Sequence, residues 1–188
     1  GIIHRDIKLD NLFVETTGRL KVLDFGVARM RDGVKTAMRT RTGATLGTVS
    51  YMAPEQVIGE GEVDARADIY SLGCVLFACL TGRPPFAAAH PLAMLARVVF
   101  EEPPRASSLA PELRPELDAF VARLLAKQAD QRPDARAAIE ELRALAALVA
   151  GSPSGAPASA PGLTRRERRL VRVILALAPG TPRLAPTS

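Results

Sequence analysis

A chain of 188 residues with ordinary apolar content, few aromatics and abundant Ala, Arg and Pro can bury one core and carry extensions. Its net charge of +5 has one address: residues 151–188 hold Arg165, Arg166, Arg168, Arg169, Arg172 and Arg183 against Glu167, so residues 1–150 balance to zero and no nucleic acid is expected as a partner of the body. No apolar run approaches the roughly 18–20 residues of a membrane span, and with only His4 and His90 there is no zinc constellation.

In chain order, His4-Arg5-Asp6-Ile7-Lys8-Leu9-Asp10-Asn11 comes first and organises the rest. It brings a carboxylate, an ammonium and a carboxamide into one short segment. Phosphoryl transfer uses that set: a base to aim the hydroxyl, a cation for the moving charge and an amide oxygen for a metal. Leu12–Val14 and Leu20–Leu23 read as two strands joined at Thr16-Thr17-Gly18, a hairpin that sets Asn11 and Asp24 at one edge. Residues 24–55 form a long irregular stretch rich in Thr, Arg and Gly, bracketed by Asp24-Phe25-Gly26 and Ala53-Pro54-Glu55.

Asp64–Leu80 reads as a helix apolar on most sides and therefore central, with Asp64 as N-cap and Thr81-Gly82 before a proline pair as its stop. Asp68 is the odd residue in it and needs a partner if buried. Cys74 and Cys79 face different directions on this helix and read as buried inert thiols in a reducing, cytoplasmic setting. Three further helices are expected over Pro91–Glu101, Glu116–Lys127 and Asp134–Val149, the last with Ile139, Leu142, Ala146 and Val149 on its apolar face. Gly151–Gly162 reads as a Ser/Pro/Ala/Gly linker. This divides the chain into a body over 1–150, a linker over 151–162, and a basic tail or the start of a further domain over 163–188.

The motifs His4-Arg5-Asp6-x-Lys8-x-x-Asn11, Asp24-Phe25-Gly26 and Ala53-Pro54-Glu55, followed by Asp68 and Arg132, resemble those of the eukaryotic-type (Hanks-type) serine/threonine protein kinases of bacteria. The resemblance covers about residues 1–149 and implies an α+β, mainly α fold, the large C-terminal lobe of a protein kinase with one small β-hairpin. It implies ATP and Mg²⁺ as ligands and Ser/Thr-bearing proteins as substrates. Asp6 matches the base, and Lys8 the lysine of Ser/Thr-specific enzymes that meets the phosphate. Asn11 and Asp24 match the metal ligands, and Thr48 the threonine that bonds to the Asp6–Lys8 pair. Phe13 falls on the floor of the adenine pocket, although plain core packing is an equally good reading of it. Arg5 matches the arginine that reads a phosphorylated activation segment, with Thr40 and Thr42 at the spacing of the regulatory threonines. Gly26 gives backbone freedom beside Asp24, Asp68 matches the acid that bonds to the catalytic-loop backbone, and Glu55 with Arg132 matches a structural ion pair. Leu9-Asp10 departs from the common Pro-Glu, at positions that are not metal ligands.

Only Gly1-Ile2-Ile3 precedes His4, with neither signal peptide nor initiator methionine. The chain is therefore expected to be a fragment whose glycine-rich loop, phosphate-binding lysine and glutamate partner, the N-terminal lobe, lie outside it. The competing expectation is a non-catalytic, pseudokinase-like lobe that displays a protein-binding surface.

Overall fold

The computed structural model describes residues 2–17, 19–23, 49–59 and 63–150, and side chains as far as residue 147. Asp24, Gly26, Thr40, Thr42 and Thr48, the linker over 151–162 and the tail over 163–188 lie outside the described residues.

The chain enters as an extended segment and makes a 3-10 turn at Leu9–Asn11, then a hairpin of β1 (Leu12–Val14) and β2 (Leu20–Val22). The strands are antiparallel, with Leu12 opposite Val22, Phe13 opposite Lys21 and Val14 opposite Leu20. Among the described residues, five α-helices follow: α1 (Pro54–Ile58), α2 (Arg66–Thr81), α3 (Pro91–Phe100), α4 (Pro115–Leu124) and α5 (Ala135–Ala150). Proline sits at the start of α1, α3 and α4, where its missing N–H is one the helix could not have paired.

Helix α2 is the axle. Tyr70, Cys74, Phe77 and Cys79 are fully buried along it, and α4 supplies Phe120, Val121 and Leu124 against it. The two helices approach so closely that a Cβ on Gly73 would lie 2.8 Å from Cβ of Leu124. Gly82 ends α2 in the left-handed region at φ 78, which a glycine adopts without a Cβ clash. A second, smaller cluster of Val49, Phe86, Met94 and Val98 seats α3. Lys127 closes that cluster: its ammonium donates to the Val98 carbonyl at 2.6 Å and lies 4.3 Å from the centroid of Phe86. Desolvation by burial pulls the Lys127 pKa down.

Several sequence expectations need correction. The central helix is regular from Arg66 rather than Asp64, and Asp64 caps it as expected: its Oδ1 accepts from the N–H of Arg66 at 2.8 Å across Ala65, which is already helical at φ −63. The fourth helix runs from Pro115 to Leu124, which leaves Lys127 in the loop where it caps the small cluster. Ile139 is left uncovered on α5. It is 51% exposed, and the buried residue of that turn is Ala138. Cys74 and Cys79 are buried free thiols, and burial pushes the Cys74 thiol up.

Candidate active site

Asp68, in the first turn of α2, reaches out of the helical core and accepts from two successive backbone N–H groups, His4 at 2.7 Å and Arg5 at 2.8 Å. A carboxylate that accepts two amides fixes a backbone strongly. It needs to, because Arg5 has φ 65, the one positive φ at a non-glycine among the described residues. Such a conformation costs on the order of 1–3 kcal/mol and persists only where its surroundings hold it.

The segment beyond is bonded at each step. The N–H of Asp6 donates to Nδ1 of His4 at 3.3 Å. His4 is buried, and because its Nδ1 accepts, Nε2 carries the proton and donates to the Leu23 carbonyl at 3.2 Å. One imidazole thus ties the Asp6 backbone to the end of the hairpin. Asn11 is buried in the 3-10 turn, and its Nδ2 donates to the Asp6 carbonyl at 2.8 Å and to Asp6 Oδ2 at 3.1 Å. Lys8 Nζ lies 3.3 Å from that same Oδ2. The structure therefore gathers Asp6, Lys8 and Asn11 at one point, with the Asp6 carboxylate at its centre.

The donor set suits a hard divalent cation. The amide nitrogen of Asn11 is spent on Asp6, so the carboxamide oxygen is what this side chain offers a metal. The N–H of Leu23 donates to the Asn11 carbonyl at 2.8 Å, which brings the chain beside Asn11 one residue before Asp24. Phe13 is 55% exposed on β1 and Leu23 is exposed on the same face of the hairpin, an apolar surface next to the site, whereas Val22, paired with Leu12, is exposed on the other face.

Behind the site, Glu55 and Arg132 form a bidentate pair, with Nη1 to Oε1 at 2.6 Å and Nη2 to Oε2 at 2.8 Å. The remaining guanidinium protons go to the carbonyls of Ala126, Arg66 and Lys127, at 2.7, 2.9 and 2.9 Å. Every donor of this buried arginine is used. Its guanidinium also lies 4.9 Å from the centroid of Tyr70, whose buried hydroxyl has no hydrogen-bond partner among the described residues.

Two groups escaped the sequence reading. Gln56 donates from Nε2 to the Arg5 carbonyl at 3.2 Å and accepts on Oε1 from the N–H of Ala53 at 2.9 Å. The available signal was a glutamine three residues into a helix start, the position that reaches back to a cap. Asp118 accepts from Arg105 Nε at 2.9 Å and from the N–H and hydroxyl of Ser107 at 3.0 and 2.8 Å. Burial works to raise its pKa, but those bonds outweigh it and hold the carboxyl below its ordinary value. Asp118 serves the fold, stapling the loop before α4.

A backbone-anchored carboxylate flanked by a lysine and a carboxamide, set on a mostly helical body, defines the class of a phosphoryl-transfer lobe. The protein kinase domain family matches residues 1–142, and the chain belongs to that family. It is 44% identical over 160 residues to a probable serine/threonine-protein kinase of Streptomyces coelicolor, covering 85% of this chain and 23% of that one. It is 46% identical over 132 residues to serine/threonine-protein kinase PknB of Mycolicibacterium smegmatis, covering 70% and 21%. Over 158 residues it is 42% identical to PknB of Mycobacterium tuberculosis, covering 84% and 24%. The chain thus spans less than a quarter of the length of these curated relatives. Among the described residues, no helix is long and apolar enough to cross a membrane.

Proposed function

We propose that this chain is the catalytic lobe of a serine/threonine protein kinase, which moves the γ-phosphoryl group of ATP to a Ser or Thr hydroxyl of a protein substrate. The observation that carries the reading is the Asp6 carboxylate held between Lys8 Nζ and Asn11 Nδ2, on a backbone fixed by Asp68. Asp6 aims the substrate hydroxyl and takes its proton as the oxygen attacks phosphorus. Lys8, paired with Asp6 in the resting site, is within reach of the transferring phosphoryl and offsets its charge. Asn11 and Asp24 would hold Mg²⁺, which when bound neutralises phosphate charge. Phe13 provides the surface on which the adenine rests, and Thr48 steadies the Asp6–Lys8 pair. Arg5 pairs with phosphate on Thr40 or Thr42, which orders the stretch between Asp24 and Glu55; Gly26 supplies backbone freedom beside Asp24. The body works in the cytosol with a small N-terminal lobe as its partner, and residues 151–162 link it to the segment beyond.

The test is a phosphotransfer assay on the full-length protein in which this chain occurs, with a Ser/Thr peptide and labelled ATP. The Asp6→Asn protein should lose kcat by on the order of 10²–10⁴-fold and keep its ATP affinity. A loss under about tenfold would remove Asp6 from the role. ATP binding without any transfer by the unaltered protein would favour a non-catalytic binding module.

A further inference from the structure

We infer that Gln56 is a positioning residue for Asp6, and that its side-chain amide couples the start of α1 to the catalytic loop. The inference rests on the kinase reading above. Its geometric basis is the peptide unit that joins Arg5 to Asp6. The carbonyl of that unit accepts from Gln56 Nε2 at 3.2 Å, and its N–H donates to His4 Nδ1 at 3.3 Å. Both ends of one peptide plane are thus held by side chains. The unit follows the strained Arg5, whose φ of 65 leaves the plane as the soft degree of freedom. Loosening of this plane frees φ of Asp6, and with it the direction of the Asp6 side chain toward Lys8 and Asn11.

Asp68 does not perform this task. It holds the N–H groups of His4 and Arg5, two and one peptide units earlier. The orientation of the Gln56 amide is itself determined: the Ala53 N–H demands an oxygen and the Arg5 carbonyl demands a nitrogen, so only one of the two flips satisfies both. The glutamine adjoins Glu55, which Arg132 locks into the helical core. A displacement of α1 is therefore felt at Asp6 through a single side chain that spans 51 positions of sequence.

The experiment uses Gln56→Glu and Gln56→Ala in the full-length protein. Glutamate keeps the oxygen that accepts from Ala53, and a carboxylate near a helix start is favourable, but it has no donor for the Arg5 carbonyl. Expected for Gln56→Glu are an unchanged denaturation midpoint, an unchanged KM for ATP, and a kcat lower by about 10- to 100-fold, the scale of a small misplacement of reacting groups. Amide exchange should quicken at residues 4–6 and stay the same in α2. Gln56→Ala should show the same losses together with a lower midpoint. Wild-type kcat in Gln56→Glu, or unaltered exchange at residues 4–6, would overturn the inference. If the unaltered protein transfers no phosphate, the kinase reading fails on its own account, and the exchange arm still decides whether Gln56 holds the Asp6 peptide.

Discussion

The two flanks of the catalytic loop are built on opposite terms. On the core side, charge is buried or half-buried and bonded: Asp68 takes two amides, the buried Arg132 spends every donor, and α2 is sealed by α4. On the hairpin side, polar groups pair at the surface, Lys21 with Glu15, and apolar side chains stand in the open, with Phe13 55% exposed and Val22 and Leu23 near 40%. On the proposed function, the difference separates stability from ligand contact. Changes on the core flank should be read in the unfolding midpoint, and changes on the hairpin flank in the nucleotide.

The largest effect is expected at the ion pair. Glu55→Gln leaves the Arg132 guanidinium buried without its counter-charge, and removal of one partner of a buried pair costs ~3–5 kcal/mol. Glu55 keeps partial access to solvent, so the lower end is expected, about 3 kcal/mol, measured by chemical denaturation. A change under ~0.5 kcal/mol, ordinary for a surface site, would erase the contrast between the flanks.

A smaller loss should follow from Gly73→Ala. The added Cβ meets Leu124 Cβ at 2.8 Å and Leu125 Cδ2 at 3.1 Å, inside helix-helix packing that has no slack. Overpacking of this kind costs typically ~1–3 kcal/mol. A lost midpoint with an unaltered ATP KM would sharpen the division of labour. A raised KM with no stability loss would blur it.

What the sequence made legible follows the same division. Apolar periodicity locates α2, α3, α4 and α5 because each buries one face or more, and the helix ends differ by a few residues where a loop side chain such as Asp64 or Lys127 takes over. The motif residues Asp6, Lys8, Asn11, Asp68, Glu55 and Arg132 are readable by type and spacing. Gln56 and Asp118 are not, because their meaning lies in partners that only the fold brings near: Arg5 for one, Arg105 and Ser107 for the other. Ile139 was misread since a helical stripe shows which residues share a face, not how far the neighbouring helix covers it.

Phe13 gives the smallest stability effect and the most direct test of the hairpin flank. Sequence alone left it between core packing and contact with the adenine. In the fold it projects from β1 on the face opposite Leu12 and Val14, which are half-buried, and its cross-strand neighbour is Lys21. A ring this exposed contributes little to folding, so Phe13→Ala should move the unfolding free energy by no more than ~0.5 kcal/mol. Its loss should be felt by the base instead. Stacking on an aromatic side chain is worth ~1–3 kcal/mol per base, and about 1.4 kcal/mol is tenfold in affinity. The KM for ATP in the full-length protein should therefore rise by about fivefold or more, with kcat little changed because Asp6, Lys8 and Asn11 stay in place. Phe13→Leu keeps an apolar surface and should recover part of the affinity. The opposite pattern, a loss of more than ~1 kcal/mol in stability with an unaltered KM, would return Phe13 to the core and make both flanks of the loop structural.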